Sequence, residues 1–89
     1  MYEWDEAKSA ATFKDRGFGF EIMEGFLWDF AICVEVQHHD GEEREKWIGP
    51  IDDQLFTVVL IQDEGTIRVI TMWRAARTEI ILWRKEFEG

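Results

Sequence analysis

The stretch Thr66-Ile67-Arg68-Val69-Ile70-Thr71-Met72-Trp73-Arg74-Ala75-Ala76-Arg77-Thr78-Glu79 decides how this chain folds. Its β-branched first half reads as a strand to about Met72, and its second half reads as helix. The change falls near Trp73, with no glycine or proline to mark it. The segment holds three arginines, Arg68, Arg74 and Arg77, against the single acid Glu79, in a chain of net charge −9. Residues 66–89 carry net +2 and residues 1–65 net −11. A cationic strip on an acidic body marks a place for something negative: RNA, a phosphate, or the protein's own carboxylates.

Upstream of this stretch, Asp63-Glu64-Gly65 predicts a tight hairpin turn. The apolar run Leu55–Ile61 predicts a central strand covered on both faces. Glu43–Ile48 reads as a short strand stopped by Gly49-Pro50, after a polar turn at His38–Glu42. From Phe30 to Gln37 the chain alternates, with Phe30, Ile32, Val34 and Val36 on one face of a half-buried strand. Nearer the start, Asp5 predicts an N-cap and Gly17 a C-terminal stop for a helix Glu6–Asp15, packed through Ala7, Ala10 and Ala11. Phe20, Met23, Phe26 and Leu27 predict a second helix ending at Trp28. Downstream, a last helix from about Arg74 to Phe87 turns Ala76, Ile80, Trp83 and Phe87 to the sheet. Ile81 and Leu82 point away from that stripe and are expected to form a partner interface. The expected fold is a single α+β domain over residues 1–89. It has two N-terminal helices, a four-stranded antiparallel β-meander and a C-terminal helix.

Eighty-nine residues bury roughly 60–65% of the unfolded surface, enough for one modest core. The lone Cys33 forms no internal disulfide and reads as a small, half-buried hydrophobe. The start Met1-Tyr2-Glu3-Trp4-Asp5-Glu6 lacks the basic-then-apolar pattern of a secretory signal, and no run is long enough to span a bilayer. A cytoplasmic location without membrane contact is expected. The acidic balance excludes tight non-specific nucleic-acid binding but allows a local contact, since salt limits repulsion to about 8 Å. It also favours a basic protein partner.

No metal-ligand spacing, cofactor motif, phosphate loop or serine nucleophile is present, so neither metal nor cofactor is expected. General acid–base and electrostatic chemistry remain. Metal-free RNA cleavage needs a base for the 2′-hydroxyl, an acid for the leaving oxygen and cations for the phosphate. His38, Glu43, Arg44, Arg68, Arg74 and Arg77 are the candidates, against the alternative that each arginine only pairs with a surface acid.

Tyr2-Glu3-Trp4-Asp5-Glu6-Ala7-Lys8, then Gly17 with Phe20-Glu21, open a series of motifs. His38-x-Asp40-Gly41-Glu42-Glu43-Arg44 leading to Ile48-Gly49 follows, then Ile67-Arg68-Val69-Ile70 before Ala75 and Glu79. In order and spacing they resemble the BrnT toxin family. The resemblance implies a RelE-like fold and a ribonuclease toxin of a type II toxin–antitoxin pair. It further implies neutralisation by a ribbon-helix-helix antitoxin, BrnA. Lys8, His38, Glu43, Arg44, Arg68, Arg74 and Glu79 match family positions. Arg16 stands where relatives usually have histidine, and Trp73 where they usually have arginine. The expected catalytic set is therefore His38, Glu43, Arg44 and Arg68, with Lys8, Arg16, Arg74 and Arg77 binding RNA. The expected function is a metal-independent endoribonuclease that inhibits translation, weakened by the loss of one cation. The alternative is an inactive toxin-like binding module, and the apolar face of the last helix also allows a homo-oligomer.

Overall fold

A computed structural model describes all residues, 1–89. Strand β1 (Tyr2–Trp4) leads into helix α1 (Glu6–Arg16) and two short 3-10 helices, Phe20–Gly25 and Trp28–Phe30. Strands β2 (Ile32–His39), β3 (Glu42–Ile51), β4 (Gln54–Asp63) and β5 (Thr66–Arg74) follow, then helix α2 (Arg77–Phe87). The five strands form one sheet in the order β1-β5-β4-β3-β2. Strands β2 to β5 pair antiparallel, but β1 runs parallel to β5. The sheet is therefore five-stranded and mixed, which corrects the expected four-stranded antiparallel meander. Three residues are too few to show a period-2 pattern, and their partner lies at the other end of the chain. The register Tyr2↔Ile67, Glu3↔Arg68, Trp4↔Val69 is anchored by the Ile67 N–H, which donates to the Met1 carbonyl at 2.8 Å.

The expected second N-terminal helix is also corrected. Phe20, Met23 and Phe26 repeat every three residues, the period of a 3-10 helix, whose side chains eclipse at i and i+3. Gly25 then ends the turn. In β3 the chain runs through Gly49-Pro50 instead of stopping. The β2 ladder ends at Ile48, so Pro50 withholds no N–H from a neighbour there, and its carbonyl accepts from Leu27 N at 3.1 Å. Gly49 lies under Phe26 and Ala31, where an added Cβ would come within 2.7 and 2.8 Å of their side chains. Strand β5 likewise outlasts its expected end, because Phe56↔Arg74 pairing overrides the helix preference of Arg74-Ala75-Ala76.

Phe18, Phe20, Met23, Phe26, Phe56, Val58, Leu60, Val69 and Met72 form the core between the N-terminal segments and one sheet face. Each fully buried side chain of this kind contributes about 1.5–3 kcal/mol. Val69 and Met72 both face this core although three residues apart, because β5 bulges between Val59↔Thr71 and Leu60↔Val69. Helix α1 is capped by Asp5, which accepts from Ala7 N and Lys8 N, and by Gly17 at φ 87°. It packs through Ser9, not through its alanines, which stay exposed; the buried Ser9 Oγ accepts from Phe20 N at 2.8 Å. Cys33 is exposed on edge strand β2, beside a register irregularity, contrary to the half-buried reading.

Helix α2 covers only part of the opposite sheet face, above Ile48 and Thr57, both fully buried. Its N-terminal turn buries Glu79, and Ile80 and Trp83 follow on the inner side. Ile81 and Leu82 point outward, 47% and 46% exposed. No helix is long and apolar enough to cross a membrane.

A cationic half-open sheet face

Alternation along a strand puts every second side chain on one face, and cross-strand partners share it. On the α2 side, Ile48, Thr57 and Trp73 make one row, and Lys46, Val59 and Thr71 the next. Continuing the register by one residue sets Arg44 opposite Ile61, itself paired with Arg68. Ile48 and Thr57 of the first row lie under α2, with Trp73 half-exposed at its end; the other two rows are open. Arg44 and Arg68 are two strands apart, roughly 10 Å.

Glu35, Gln37, Arg44, Glu45, Lys46 and Val59 line a shallow pocket of about 160 Å³ on this face. Arg44 makes no ion pair there, and its Nε is buried without a hydrogen-bond partner. Leaving a buried donor unsatisfied costs about 1–3 kcal/mol, so an arriving anion finds one donor of this cation already withdrawn from water. Lys46 is differently placed. Its Nζ lies 3.3 Å from Glu79 Oε2 and 5.7 Å from the centre of the Trp73 ring.

Glu79 is the buried acid of this face, 8% exposed. Burial pushes its carboxyl up, but the Ala76 N–H at 2.7 Å and the Trp73 indole N–H at 3.0 Å both donate to it. The approach of Thr57 and the Lys46 ammonium add to them, and the carboxyl ends below its ordinary value of 4.5. Thr57 contributes least in geometry, since its Oγ1 is left without a hydrogen bond. Glu79 also makes half of a capping box, reaching back to Ala76, whose methyl offers no reciprocal acceptor. Trp73 supplies one of the N–H groups that hold this carboxylate.

Arg68 faces the same side but sits among acids. Glu3, Glu42, Asp63 and Glu64 line a polar recess with it, none within ion-pairing distance. An anion approaching Arg68 meets four carboxylates, which disfavour it by like-charge repulsion. The expected catalytic four are thus not brought together. His38 pairs with Glu43 across the β2–β3 ladder, and both stand on the opposite face from Arg44.

The expected RNA-binding residues are also divided. Lys8 is exposed on α1, far along the chain from the pocket lining. Arg16 donates to the Met72 carbonyl at 2.8 Å, and Arg74 donates to the Arg16 carbonyl at 2.7 Å while lying 5.0 Å from the Phe18 ring centre. Both arginines join α1 to β5. Arg77 is exposed in the first turn of α2 and carries no ion pair.

Glu35 and Gln37 line the pocket without having been singled out in the sequence. The alternation of β2 and β3 carried the needed signal, because it puts Glu35, Gln37, Arg44 and Lys46 in phase once the strands pair. No curated protein matches the chain. The family model for the ribonuclease toxin BrnT of type II toxin–antitoxin systems matches residues 4–79, and the chain belongs to that family.

Proposed function

We propose that the chain is the toxin of a type II pair and cleaves RNA, without a metal, at the open half of the sheet. The observation that carries this reading is Arg44, a cation with a buried, unpartnered Nε beside Lys46 on an uncovered face. Arg44 holds the scissile phosphate and meets the negative charge that builds on it. Glu35, in the same pocket, takes the proton of the 2′-hydroxyl as that oxygen bonds to phosphorus. The bond to the 5′-oxygen breaks, Lys46 returns a proton to it, and a 2′,3′-cyclic phosphate remains. Cutting messenger RNA in this way stops translation. A ribbon-helix-helix antitoxin restrains the toxin by covering Ile81 and Leu82 on α2.

A second reading, a toxin-like module that binds its antitoxin but cuts nothing, is favoured by the four carboxylates around Arg68. Expression of the chain alone in a bacterium separates the two. Growth arrest with fragmented RNA, both lost in Arg44→Ala, is expected. Normal growth with intact RNA at high expression would sink the nuclease reading and leave the module.

A further inference from the structure

The five indoles of the chain have different surroundings. Trp28 packs edge-on against Phe26 and Trp47, at 4.8 and 5.0 Å between ring centres, so two indoles are taken up in one aromatic cluster. Trp83 lies 5.0 Å from Phe87 and gives its N–H to the Phe30 carbonyl. Trp4 pairs with Glu6 at the edge of α1. Trp73 is the indole with a cation over its ring and no aromatic neighbour. It stays half-exposed, outside the core cluster. Its N–H bond to Glu79 fixes the tilt of the ring, and a bond in the ring plane leaves the π faces to other partners, of which Lys46 takes one. Lys46 lies in the row between Arg44 and Trp73 on the same sheet face, Trp73 standing at the margin of α2.

We propose that Trp73 is a stacking platform for one unpaired base of the bound RNA, so that the site takes single-stranded and not duplex substrate. This rests on the reading that the open sheet half binds RNA. A strand whose phosphates follow Arg44 and Lys46 carries its next base to the Trp73 ring. Bases in a duplex are stacked on each other and cannot lie on a side chain in this way. Aromatic stacking is tolerant of base identity, so Trp73 selects an unpaired nucleotide without fixing which one.

The test uses a labelled six-nucleotide RNA with 2′-O-methyl riboses, which cannot be cut, titrated with the purified chain and read by anisotropy. A series of the same oligomer carries one abasic position at each site in turn. Wild type is expected to bind, Trp73→Ala to bind about 5- to 150-fold more weakly, and Trp73→Phe to stay within a few fold of wild type. One abasic position is expected to weaken wild type by the same factor and to cancel the effect of Trp73→Ala. With folded wild-type protein alone, binding should also quench fluorescence that Trp73→Phe lacks. Wild-type affinity in Trp73→Ala, or equal loss at every abasic position, overturns the stacking role. If binding then still depends on Arg44, the RNA reading survives it. No binding by wild type to any oligomer overturns both.

Discussion

At the scale of the residue, the half-open sheet face is governed by how each charge is partnered. Lys46 is held by Glu79, Arg68 is ringed by acids, and Arg44 is held by nothing. Three cations that look alike in sequence therefore have different value to an anion, and only the paired strands reveal which is free. Glu79 is the structural member of the group. Because its folded carboxyl titrates below 4.5, its stabilisation is fully present above that pH and is lost as pH falls through the folded value. Glu79→Gln should cost about 1–3 kcal/mol at neutral pH, since it weakens the acceptor of the Ala76 and Trp73 N–H groups and leaves Lys46 unpaired. The gap between wild type and variant should narrow below pH 4.5, as followed by urea unfolding across pH. A gap that widens on acidification would contradict the assignment.

At the scale of the element, β1 is so short that β5 is left without a strand neighbour on that side beyond Val69, while β4 pairs with its other side throughout. Arg16 fills part of that gap by donating to the Met72 carbonyl, and Arg74 closes the loop by donating to the end of α1. Arg16→Ala should destabilise the fold by about 1 kcal/mol, seen in denaturant melts, while leaving RNA cleavage at wild-type rate. Reduced cleavage without lost stability would return Arg16 to the RNA site. The same elements show what could be read in the sequence. Helix α1 was legible because Asp5 and Gly17 are local signals, and the turn at Glu64-Gly65, with φ of 43° and 83°, was equally local. Strand β1, the bulge at Ile70 and the passage of β3 through Gly49-Pro50 were not, because each depends on a distant partner. The site was half legible for the same reason. Arg44 stood out by type, whereas the separation of His38 and Glu43 from it needed the β2–β3 register.

At the scale of the whole molecule, net charge −9 works against holding a polyanion, and the acids cluster near Arg68 while Arg44 and Lys46 stay on open sheet. Binding of RNA should therefore be local and short. With few phosphates contacted, its affinity should fall only shallowly as salt rises, with a log–log slope of magnitude about 1–2. A steep slope would mean a longer track than this surface offers. The most direct measurement is the cleavage rate of single-stranded RNA by the purified chain with chelator present, compared with Arg44→Ala and with the double variant His38→Ala/Glu43→Ala. The expected result is cleavage leaving 2′,3′-cyclic phosphate ends, slowed about 10²–10³-fold by Arg44→Ala and unchanged in the double variant. Cleavage that survives in Arg44→Ala but is lost in the His38/Glu43 variant would place the chemistry on the other face of the sheet and contradict it.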